Sequence, residues 1–243
     1  RAEMIRNEAM TSDQEVYYRV NAFLDDDDAP VAKNKLEISL QPAEPIRVTP
    51  GRRRDYGPAQ GWDDPKYADL PVLVQHDVLE ECLEETRANP EREIAGFLLG
   101  RLHNDEKSKE VFLAVTDFDS KAGTTEADET SVTYTPASFA HAQEMITLRG
   151  EGESIVGWQH SHPFKFCAEC PLPTPPECIA KVLFYSQDAM HLMSSTFEHP
   201  FMVGLLTAVE PRIEQAVGHL PVKLYGWREG QIQARGFEVV GIE

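Results

Sequence analysis

The run GWQHSHP (157–163) sets two imidazoles two residues apart. In an extended chain alternate side chains share a face, so His160 and His162 can address the same ion. Neutral imidazole is a good zinc ligand, and a catalytic zinc takes three protein ligands and keeps a fourth position for water or substrate. Pro163 ends the strand, which puts the pair at a strand tip where a site stays open. A His-x-His pair by itself is a weak signal, so the rest of the chain must supply a third ligand and a base.

Asp188 is the better third ligand. It follows Ser186, a residue able to cap a helix, and precedes the apolar run FMVGLL (201–206). Glu169 and Glu177 are nearer in sequence but sit in a loop rich in proline and cysteine, with no framing element. For the base, Glu93 opens the segment EIAGFLLG (93–100), a carboxylate at the mouth of a strand otherwise free of charge. A carboxylate so placed can take a proton from water during hydrolysis; the plainer reading is the polar end of a strand. No HExxH helix occurs, which excludes the thermolysin type of site.

The elements that must position these groups are legible from residue 71 onward. The spacing of Val78, Leu79, Cys82 and Leu83 predicts a helix over 76–88, stopped by Asn89-Pro90. Strands are expected at 94–102, 111–118, 131–135, 154–160, 201–209, 222–228 and 237–242, with a polar loop at 121–130. Thr135-Pro136 should start a helix running to about Arg149, with proline at its first position. The irregular alternation points to an α/β (α+β) domain built on a mixed sheet flanked by helices. Trp158 and Cys82 read as core; His103, His141, His199 and His219 share no spacing and read as surface or structural.

Residues 1–70 differ from the rest. They hold Asp25–Asp28, the triplet Arg52–Arg54 and six prolines, with strand or helix signals only at 15–24 and 35–41. They read as an N-terminal extension that wraps the domain or binds a partner, which leaves 71–243 as the catalytic domain. The net charge is −18; 1–70 contribute −4 and 71–243 contribute −14. Such a field disfavours nucleic acid and anionic membranes and suits a partner with a basic face. No apolar run approaches the roughly 18 residues of a membrane span. Three of the four cysteines crowd into 167–178, unlike a disulfide framework, and with no secretory h-region near Arg1 the expected compartment is the cytoplasm.

Taken together, EIAGFLLG, then GWQHSHP, then an aspartate before an apolar strand resemble the JAB/MPN metalloprotease domain, the JAMM family of deubiquitinase-like isopeptidases. The resemblance covers roughly residues 71–228. It implies a curved sheet flanked by helices, similar to cytidine deaminases, with Zn2+ on His160, His162 and Asp188 and Glu93 as general base. It also implies cleavage after the C-terminal glycine of a ubiquitin-like protein, beside E1- or E2-like partners. A peptidase for sulfur-carrier proteins would use the same site, and a metal-free MPN scaffold is the reading from another class. The intact Glu, His, His and Asp set argues against the scaffold.

Two departures from the family pattern stand out. The family spaces serine three residues before its aspartate to stabilise the oxyanion, whereas Tyr185 stands there and Ser186 follows. Ser186 is therefore either a shifted catalytic residue or a helix cap. The loop after Pro163 is also long and holds Cys167 and Cys170 in CxxC spacing, with Cys178 eight residues on. These thiols either bind a second, structural zinc with a fourth ligand from elsewhere or remain reduced bystanders.

Overall fold

The computed structural model describes residues 47–63, 70–120, 134–163, 183–210, 214–215 and 218–242. The strand signals at 15–24 and 35–41, the polar loop at 121–130 and the cysteine loop lie outside the described residues, as does most of the strand expected at 131–135; Tyr134 and Thr135 are not in a strand.

The strands are β1 Val48–Pro50, β2 Ala59–Trp62, β3 Val72–Gln75, β4 Ala95–Asp105, β5 Glu110–Asp119, β6 Ser154–His162, β7 Val203–Ala208, β8 Val222–Arg228, β9 Gln231–Arg235 and β10 Phe237–Val240. The helices are α1 His76–Ala88, α2 Pro136–Arg149 and α3 Gln187–Ser195, with a 3-10 turn at Arg53–Tyr56. All ten strands form one mixed sheet in the order β2-β10-β3-β5-β4-β6-β7-β8-β9, and β1 pairs parallel to the far end of β4. The fold is α+β. No described helix is long and apolar enough to cross a membrane.

Local chemistry explains the helix ends. Thr135 accepts from the Ser138 N–H while Ser138 returns a bond to the Thr135 N–H, and Pro136 takes the first helical position. Gly150 closes α2 in the left-handed conformation, at φ 68°. Strand alternation then sorts the core into two faces. Leu98 and Leu102 of β4 point toward Val78, Leu79, Cys82 and Leu83 of α1. Ala95, Phe97 and Leu99 point the other way, toward Ala142 and Ile146 of α2 and Ala189 and Met193 of α3. The central strands are buried on both sides, which is why β4 and β7 read as continuous apolar runs.

Some elements go beyond the sequence expectation. Within residues 1–70, β1 and β2 belong to the same sheet as the strands that follow residue 71, and the compact unit begins at Ile46. His103, buried on β4, helps hold that entry: Tyr56 Oη lies 2.8 Å from its Nε2 and Thr49 Oγ1 lies 3.0 Å from its Nδ1. The strand β9 was not expected. Its sequence, QIQAR, is polar because it closes the sheet edge beside β8.

Candidate functional site

The histidine strand β6 lies between β4, antiparallel, and β7, parallel. Antiparallel pairing sets Ala95 opposite His160 and Phe97 opposite Trp158. Directly paired residues share a face, so Trp158, His160 and His162 project on the side where α2 and α3 pack. The paired register starts at Ala95 and His160, and the Ile94 backbone bonds to Ser161 just ahead of it. Glu93 itself is half-buried, just ahead of β4.

Ser161, between the two histidines, faces the opposite side and holds this register. Its N–H donates to the Ile94 carbonyl at 2.9 Å, and its Oγ accepts from the Ile94 N–H at 3.1 Å. The residue next to Glu93 is thereby pinned to the middle of the His-Ser-His run.

The His160 ring lies flat on Trp158, with centroids 4.4 Å apart and planes 9° from parallel. It meets His162 edge-on at 5.1 Å and Tyr185 at 5.8 Å. His162 has Phe184 beside it at 5.2 Å. Burial, reinforced by the neighbouring His162, holds the His160 pKa well below its ordinary value. The ring is therefore neutral, the form that ligates metals. Both of its ring nitrogens are buried, with no hydrogen-bond partner among the described residues. Two orphaned imidazole nitrogens in a low-dielectric wall are costly unless something else uses a lone pair.

The remaining predicted residues are placed as follows. Asp188 lies in the first turn of α3 with its side chain exposed. Among the described residues no three of His, Cys, Asp and Glu stand together closely enough to hold one ion. The structure thus brings His160 and His162 together and does not bring Asp188 to ligating distance of both. Ser186 is the N-cap of α3, its Oγ accepting from the Ala189 N–H at 3.0 Å. Cys167, Cys170 and Cys178 fall outside the described residues.

Sequence reasoning missed the aromatic wall. Tyr185, at the position where the family spaces its serine, is packed among Trp158, His160 and Tyr225, stacking on Tyr225 at 4.3 Å. Burial drives its pKa up. Its hydroxyl and Trp158 Nε1 crowd over Gly204, where any β-carbon would collide with them. The glycine in FMVGLL was the available signal: a strand interior tolerates glycine where something must approach closely.

A cavity of about 600 Å³ lies elsewhere. It is lined by Arg52–Arg54, Asp105 and Glu238, at the far end of β4 from Ala95. Its carboxylates are tied internally: Glu110 and Glu238 by Arg53, Asp105 by backbone N–H groups.

Residues 69–170 match the family described as JAB1/Mov34/MPN/PAD-1 ubiquitin protease. The match includes Glu93, His160 and His162 and stops before Ser186 and Asp188. Among solved structures, the chain is similar to the solution structure of a protein from Desulfitobacterium hafniense. The two are 15% identical with a TM-score of 0.44, over 67% of this chain and 88% of that one. No curated protein matches the chain. The matched segment, less than half of the chain, is similar to a family of peptidase- or isopeptidase-like domains.

Proposed function

We propose that the chain is a zinc-dependent peptidase or isopeptidase that cleaves after the C-terminal glycine of a ubiquitin-like protein. The observation that carries this reading is the pairing of β4 with β6. It accompanies two neighbouring imidazoles, His160 and His162, with both His160 nitrogens buried and unpartnered among the described residues, and Glu93 two residues ahead of the paired Ala95.

His160 and His162 would hold the zinc, with Asp188 closing on them from the first turn of α3. The donor set fits: neutral imidazoles and one carboxylate are ordinary zinc ligands, and the orphaned nitrogens have no competing use. A zinc ion bound there supplies Lewis acidity, polarising a carbonyl and making a water molecule more acidic. Glu93 takes the proton of the attacking water and passes it to the departing amine. Trp158 and Tyr185 keep bulk water from the inner side of the site. Ser186 serves as the cap of α3, which orients the turn carrying Asp188.

The test is cleavage of a C-terminal fusion of a ubiquitin-like protein by zinc-loaded enzyme, with Glu93→Gln alongside. Specific cleavage after the terminal glycine, lost in the variant, supports the reading. Binding of the fusion without any cleavage by the wild type would make the chain an MPN scaffold instead.

A further inference from the structure

A metal-ligating histidine usually has its ring fixed by a hydrogen bond from its second nitrogen. Among the described residues, His160 has no such partner on either nitrogen. Its ring direction is set by the flat contact with Trp158 and by the backbone of β6. What holds that backbone is therefore part of the site.

The opposite face of β6 carries a buried polar chain that the function above does not use. Gln159 Nε2 donates to Thr207 Oγ1 at 2.8 Å. Thr207 Oγ1 is 2.7 Å from Thr86 Oγ1 and 3.4 Å from the His160 carbonyl. Thr86 Oγ1 donates to the Cys82 carbonyl at 2.7 Å. A hydroxyl has one proton, so with Thr86 committed to Cys82 the proton between the two threonines belongs to Thr207. Donation then runs Gln159 to Thr207 to Thr86 to Cys82. Gln159, Thr207 and Thr86 are each fully buried. They tie α1, β7 and β6 together directly behind the imidazoles.

We propose that Thr207 is a positioning residue, whose hydroxyl anchors β6 at Gln159 and so sets the directions of the neighbouring His160 and His162 rings for metal binding. The inference rests on the zinc reading of the site. Apolar side chains at 86, 159 and 207 would fill the same space, but they would leave β6 free to slide and tilt on α1. A connected polar network specifies one arrangement because each member is unsatisfied in any other.

The experiment is zinc titration of the metal-free full chain in competition with a chromophoric chelator. Wild type, His162→Ala, Thr207→Val and Thr207→Ser are compared. Valine keeps the shape of threonine and removes the hydroxyl; serine keeps the hydroxyl. Thr207→Val is expected to bind zinc about tenfold or more weakly, the usual cost of losing an outer-shell partner, and Thr207→Ser to stay close to wild type. If Thr207→Val fails to fold, Thr86→Val removes the next link of the chain and is read the same way. A folded valine variant with wild-type zinc affinity overturns the proposal. Equal losses in Thr207→Val and Thr207→Ser also overturn it, since the hydroxyl would then be immaterial. Wild type and His162→Ala binding zinc equally would instead overturn the zinc reading itself, an outcome visible without any Thr207 variant.

Discussion

Ser161 satisfies both backbone polar groups of Ile94, donating its N–H to the carbonyl at 2.9 Å and accepting the Ile94 N–H on Oγ at 3.1 Å. The side-chain bond takes a place that a strand ladder would fill with a carbonyl. Both residues are buried, so water cannot substitute for it. Replacing Ser161 with Ala leaves the Ile94 N–H unpaired, at a cost of about 1–3 kcal/mol. Denaturant unfolding should show this as a lower midpoint with an unchanged slope. No loss of stability would mean that the bond is dispensable.

Glu93 is predicted to move protons without holding metal. Glu93→Gln should lower the cleavage rate by about 10²–10⁴-fold and leave zinc content near that of the wild type. The variant should still bind the ubiquitin-like partner and act as a trap for conjugates. Wild-type turnover in this variant would remove Glu93 from the mechanism.

Zinc should depend on both histidines and on Asp188. Metal analysis is expected to find His162→Ala stripped of the metal at the site, and Asp188→Ala weakened. Chelator treatment should abolish cleavage and added zinc restore it. Asp188→Ala retaining full affinity would show that another residue completes the ligand set.

Acid should loosen the end of α2. Burial alone would raise the Glu153 carboxyl, but hydrogen bonds from Arg149 and Thr116 outweigh it and hold the pKa below its ordinary value of 4.5. Because the folded value is the lower one, the stabilisation is fully present above the unfolded value and is lost as pH falls through the folded value. Unfolding measured from pH 7 downward should lose less stability in Glu153→Gln than in wild type. Parallel curves for the two proteins would contradict this.

The elements that carry the candidate residues were legible in the sequence because their signals are local. Period-two spacing put His160 and His162 on one face, Pro163 ended their strand, and Thr135-Pro136 started α2 where the helix begins. Each depends on backbone geometry within a few residues. Ser186 as a helix cap was equally local, and its hydroxyl is used that way. What the tertiary structure decided depends on pairing between distant segments. Ala95 comes opposite His160 only when β4 meets β6 antiparallel, and no spacing in the chain states that register. Tyr185 could not be read as a wall of the site until Gly204 let it pack against Trp158. β1 and β2 lay in a segment too short and too proline-broken to signal strands, and they exist because β4 and β10 offered open edges. Local propensity is written residue by residue, whereas register and burial arise when separate strands compete for the same partners.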